Sequence, residues 1–198
     1  MYAALAQLAY PNHDLQDDSM SKGFPGLRAM DHIGITVPDF QQARDFFVDV
    51  LGFEEFYAHG PFKDDEGTWM ADMLNVNPRA EIKKVQQFRC AHGPNIELFE
   101  YASPDQRREM PKNSDWGGHH ITLYVDDIDA AMDHLKANGV RLMAGGGPPV
   151  DSGPEAGLRS CYFLTPWDMQ MELISFPNGK GYENETDARL WDPRHPER

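Results

Sequence analysis

The stretch Gly117-Gly118-His119-His120-Ile121-Thr122-Leu123-Tyr124-Val125-Asp126-Asp127-Ile128 has an earlier counterpart in Met30-Asp31-His32-Ile33-Gly34-Ile35-Thr36-Val37-Pro38-Asp39-Phe40. Each sets a His beside an Ile, runs in strand-like alternation to a Val, and meets a polar turn ending in Asp. One constant offset places His32 on His120, Val37 on Val125, Asp39 on Asp127, Ala43 on Ala131 and Asp45 on Asp133. A repeat governs any further reading of architecture, and this one makes two related modules. Their far ends agree as well: Asn95-Ile96-Glu97-Leu98-Phe99 closes the first, and Gln170-Met171-Glu172-Leu173-Ile174 closes the second. Four metal-capable side chains, His32, Glu97, His120 and Glu172, therefore occupy matching positions.

Strand alternation sorts the faces. His32 shares one with Gly34 and Thr36, Glu97 with Phe99 and Tyr101, His120 with Thr122 and Tyr124, and Glu172 with Gln170 and Ile174. The opposite faces carry Ile33, Ile35 and Val37, then Ile96 and Leu98, Ile121, Leu123 and Val125, and Met171 and Leu173. These suit packing under helices, so every ionisable residue points away from the helix side. A buried carboxylate is costly unless paired or bound to metal. Two beside two imidazoles make one divalent cation the expected cofactor, and an N2O2 set suits Ni, Co, Zn, Mn or Fe without choosing among them.

At these residues the chain resembles the vicinal oxygen chelate superfamily, which includes glyoxalase I, methylmalonyl-CoA epimerase, extradiol dioxygenases and the fosfomycin and bleomycin resistance proteins. The resemblance covers roughly residues 30 to 176. It implies an α+β fold of two βαβββ modules, a curved mixed sheet around a shared metal site with helices on the outer face. It also implies frequent dimers, and apolar side chains in the linker, lid and tail agree with a homodimer. In glyoxalase I an Arg and an Asn hold glutathione where this chain has Thr36 and Tyr101, so a different small substrate is expected. Methylmalonyl-CoA epimerases are more distant by this measure, since their first module usually supplies Gln where Glu97 stands. The turn Thr165-Pro166-Trp167-Asp168 replaces the family's usual Asp-Pro-Asp-Gly. Trp167, Trp69, Phe99, Tyr101 and Tyr124 are expected to line a pocket for an apolar or aromatic compound.

The remaining segments divide the chain into an extension over 1–29, a first module over 30–102, a linker over 103–116, a second module over 117–176 and a tail over 177–198. In the extension, His13 among Asp14, Asp17 and Asp18 reads as a solvated acidic loop. Within the first module, Asp39 caps a helix on which Phe40, Ala43, Phe47 and Val50 recur before Gly52 stops it. The insertion from Gly60 to Arg79, with Trp69-Met70-Ala71-Asp72-Met73-Leu74, reads as a lid or as core contact. Trp116 is expected between the modules. Gly145-Gly146-Gly147-Pro148-Pro149 lacks the Lys-Ser/Thr of a phosphate loop and reads as a rim. Tyr182, Leu190 and Trp191 suggest that the tail docks.

With 18 Lys and Arg against 32 Asp and Glu, a net charge of −14 argues against nucleic acid or an anionic membrane as partner. Cys90 and Cys161 have no CxxC spacing and read as reduced core thiols. A soluble, cytoplasmic location is expected, since no apolar run approaches the length of a bilayer span.

Three functions remain open at this level. The first is metal-dependent isomerase or lyase chemistry with Glu172, or alternatively Glu97, moving a proton. The second is an Fe(II) dioxygenase using His32, His120 and Glu172. The third is a non-enzymatic binding protein of the bleomycin-resistance kind.

Overall fold

Alternation in the first copy becomes strand β1 (His32–Thr36), which buries Ile35 on one face and leaves His32, Gly34 and Thr36 exposed on the other. Asp39 then accepts the Gln42 N–H at 2.9 Å and starts helix α1 (Phe40–Asp45). The helix widens into a π-helical turn over Phe46–Val50, and the chain turns away at Gly52 with φ of 77°, a conformation suited to a residue without a Cβ. The sequence spacing predicts one regular helix. The wider turn instead brings consecutive residues, Phe46 and Phe47, into the core together.

The computed structural model describes residues 24–197, so the acidic loop around His13 lies outside the described residues. A short unit ending at Met30 is separate from the unit that spans Asp31–Arg198. In the former, Leu27 N–H bonds the Phe24 carbonyl across a turn. The first module continues with β2 (Glu54–His59), β3 (Phe62–Lys63), α2 (Trp69–Leu74), β4 (Glu81–Arg89) and β5 (Asn95–Ala102). The second is β6 (Ile121–Tyr124), α3 (Ile128–Ala137), β7 (Arg141–Leu142), β8 (Arg159–Leu164) and β9 (Gln170–Ser175). Asp127 caps α3 by accepting the Asp129 and Ala130 N–H groups, as Asp39 does for α1.

Each module makes its own sheet, in the order β1-β5-β4-β2 with β3 on β4, and β6-β9-β8-β7. In both, the first strand runs parallel to the last while the last pairs antiparallel with the strand before it. This is the expected α+β fold, with the modules as separate sheets. One apolar core lies on the helix side of both, joining Phe40, Phe47, Ile96 and Leu98 to Ile128, Leu135, Phe163 and Leu173. Where the modules meet, the Phe46 and Phe47 rings stand 5.8 and 5.9 Å from the Trp167 indole, and His134 Nε2–H donates to the Val50 carbonyl at 2.8 Å.

The core places two of the tryptophans differently. Trp167, expected in a pocket, is 8% exposed and packs on Phe46 and Phe47, and it also lines a chamber of about 810 Å³. Asp168 takes the left-handed conformation (φ 67°) where the family turn has glycine, and its carboxylate pairs with Arg141 at 2.7 Å. Trp116 is fully exposed rather than packed between the modules. Cys161 is buried, Cys90 half-buried, and both are free, with burial raising each thiol's pKa. No helix among the described residues is long and apolar enough to cross a membrane.

The joint between the modules predicts a stability effect. Phe47 is fully buried against Phe46, Phe53 and Trp167, so Phe47→Ala should cost about 3–5 kcal/mol in urea unfolding, through lost transfer energy and the cavity left behind. A loss below about 1 kcal/mol would contradict this packing.

Candidate active site

Parallel pairing of β1 with β5 sets Gly34 opposite Glu97, and pairing of β6 with β9 sets Thr122 opposite Glu172. The histidine two residues before each of these then reaches the glutamate. His32 Nε2 lies 3.4 Å from Glu97 Oε2, and His120 Nε2 lies 3.4 Å from Glu172 Oε2. The repeat thus reproduces one His–Glu pair per module with equal spacing. The side chains of Glu97 and Glu172 are 24% and 13% exposed, and those of His32 and His120 are 39% and 33%. The glutamates are half-buried and the histidines exposed, so the burial cost inferred from alternation applies only in part.

Neighbours orient each pair differently. Asp31 Oδ2 holds His32 Nδ1 at 2.7 Å, leaving Nε2 toward Glu97. This hydrogen bond raises the His32 pKa against the opposing effect of burial, with Glu97 adding to the rise. In the second module, His120 Nδ1 is 3.3 Å from the Asn113 side-chain amide, and its ring meets Tyr162 edge-on at 5.2 Å. Glu97 Oε1 accepts from the Gln87 amide at 3.0 Å, whereas Glu172 Oε2 accepts from the Thr122 hydroxyl at 2.9 Å. Tyr162 also bonds Glu172, and its phenol pKa is raised by burial and then by that carboxylate. Sequence reading missed Asp31, Gln87, Asn113 and Tyr162. The signal for two of them was present, because the offset that places Glu97 on Glu172 also places Gln87 on Tyr162.

The expected pocket residues separate. Phe99 and Tyr101 stack at 5.4 Å on the open face of the first sheet, two and four residues beyond Glu97. Trp69 is 45% exposed at the start of α2, while its neighbour Met70 is buried with Ala80, Ile82 and Val85 against Phe99 and Tyr101. Tyr124 packs edge-on to Phe176 at 4.9 Å, and the returning tail lays Arg194 over the same Phe176 ring at 5.0 Å. Leu190 and Trp191 of that tail stay exposed. His119 turns its Nδ1 to the Gly117 carbonyl, away from the His120 pair.

Among the described residues no three His, Cys, Asp or Glu side chains converge as a metal site. The four candidates therefore stand as two pairs within one chain. Packing explains this, because the modules join through their helix-side core at Phe46, Phe47 and Trp167.

A family model described as the glyoxalase/bleomycin resistance protein/dioxygenase superfamily matches residues 31–163. The chain belongs to that superfamily. A 2-epi-5-epi-valiolone epimerase from Actinomyces sp is 46% identical over 173 residues, covering 87% of this chain and 92% of that protein. An ethylmalonyl-CoA/methylmalonyl-CoA epimerase from Cereibacter sphaeroides is 28% identical, covering 73% and 93%. A solved glyoxalase family protein from Bacillus cereus shares the fold, with TM-score 0.58, 21% identity and coverage of 79% and 98%. This glyoxalase-like chain is an enzyme with isomerase-type chemistry.

Proposed function

We propose that the protein is a divalent-metal-dependent epimerase that inverts a carbon next to a carbonyl, in a small molecule such as the 2-epi-5-epi-valiolone named for its 46% identical relative. The carrying observation is the pair of matched His–Glu spacings, each 3.4 Å. Two ligands at tetrahedral positions about 2.1 Å from one ion stand roughly 3.4 Å apart, so each module fits half of an N2O2 set. Symmetric association of two copies brings such halves together twice over. His32 and Glu97 of one copy, with His120 and Glu172 of the partner subunit, would hold the ion. A bound divalent ion supplies Lewis-acid polarisation of the carbonyl.

The chain's own groups then divide the proton work. Glu172, fixed by the Thr122 hydroxyl at 2.9 Å, takes the proton from the carbon beside the carbonyl. Glu97, fixed by Gln87 at 3.0 Å, belongs to the other half and returns a proton to the opposite face. One C–H bond breaks and one forms at the same carbon, and its configuration inverts with no net redox change. Two equivalent His–Glu pairs support this reading over a three-ligand iron dioxygenase, in which Glu97 is not a ligand.

Turnover in D2O tests it. Epimerised 2-epi-5-epi-valiolone should carry solvent deuterium at the inverted carbon when examined by NMR. Inverted product that retains its original proton would contradict proton transfer through two exchangeable carboxylates.

A further inference from the structure

An open chamber of about 520 Å³ lies beside the first pair, between β5, the segment after α2 and the start of the linker. Gly34, the strand partner of Glu97, lines it together with Thr36, Phe99 and Tyr101. Along β5 the Phe99 ring begins two residues from Glu97, roughly 7 Å away at strand spacing. One wall is the aromatic pair, whose rings lie 5.4 Å apart at 23°. The same chamber is lined by neutral amides, Asn75, Asn77 and Gln106, and by Asp105. The Ser103 hydroxyl donates to Asp105 at 2.6 Å, and this bond with a second from Asn77 lowers the Asp105 pKa, so it stands as an acceptor. Among the described residues no Lys or Arg lines the chamber.

The corresponding corner of the second module is filled. There the repeat places Tyr124 on Thr36 and Phe176 on Tyr101, and these rings pack at 4.9 Å beneath Arg194. Of the two related corners, the first keeps its space and the second fills it with its own side chains.

We propose that this first-module chamber seats an uncharged, polyhydroxylated ring, with its C–H face on Phe99 and Tyr101 and its hydroxyls shared among Asp105, Asn75, Asn77 and Gln106. Flat apolar faces edged by hydroxyls match a chamber that combines stacked aromatic rings with amides. A carboxylate in a chamber lined by no cation disfavours an anionic ligand. A neighbouring chamber of about 810 Å³ differs in this respect, being lined by Arg79, Lys83, Arg107 and Arg108. The seat rests on the epimerase reading for its purpose, since it holds a ring against the Glu97 half of that site.

Calorimetric titration with myo-inositol, an unreactive uncharged cyclic polyol, tests the seat in the full-length protein. Inositol should bind the unaltered protein, and Tyr101→Ala and Asp105→Asn should each weaken it about tenfold or more. Arg107→Ala should leave it unchanged, and inorganic phosphate should not compete. Asp105 is exposed, so its variant carries the test if Tyr101→Ala does not fold. With 2-epi-5-epi-valiolone as substrate, Asp105→Asn should raise KM and spare kcat. Absence of inositol binding, binding indifferent to Asp105→Asn, or phosphate competition that depends on Arg107 overturns the seat. Inositol binding that is lost in Asp105→Asn, in a protein that places no deuterium in product, upholds the seat and overturns the epimerase reading.

Discussion

Glu172→Gln is expected to reduce epimerisation by about a thousandfold, within the range that a positioned general base contributes. The amide keeps the shape of the carboxylate and can still accept the Thr122 hydroxyl now 2.9 Å away, but it no longer accepts a proton from carbon. Because the side chain is half-buried and its strand partners are unchanged, the melting temperature should stay within a few degrees. Glu100→Gln is the matched control. Glu100 lies on β5 but accepts the Phe40 N–H at 3.0 Å and pairs with Lys83 at 2.8 Å, away from the His32 pair. Retention of more than about a tenth of activity in Glu172→Gln would remove it as the base. An equal loss in Glu100→Gln would mean that the register of β5 is wrong.

Much of this arrangement is legible in the repeat itself. Alternation assigns Ile35, Ile96, Leu98, Met171 and Leu173 to a buried face and the four His and Glu residues to the other, because period-2 patterning directly reports which way a strand side chain points. Matching the two copies sets His32 against His120 and Glu97 against Glu172, whereas the meeting of each His with the Glu of its own module follows from the parallel strand pairing. What alternation cannot report is how two finished modules dock. That depends on Phe46 and Phe47 meeting Trp167, and both the π-helical turn and the left-handed Asp168 that aim these rings are local departures from regular geometry. For this reason the four ligands expected around one ion stand as two pairs within a chain, and Trp167 packs at the joint between the modules. Tyr162 escapes sequence reading because an aromatic residue in a strand reads as packing until its partner across the sheet is known to be Glu172.

On the proposed reading, each working site takes one His–Glu pair from each of two copies. His32→Ala and His120→Ala should each be inactive as pure proteins, since either removes one of only two nitrogen donors from every site. Mixed and allowed to exchange subunits, about half the dimers should be hybrids. Each hybrid collects both losses in one site and leaves the other intact, so activity should recover to about a quarter of that of the unaltered protein. Kinetic assay of the equilibrated mixture against the two separate variants is the direct measurement. Recovery near that level is the predicted result, and a mixture as inactive as its components, with subunit exchange verified by mass, would contradict a site shared between copies.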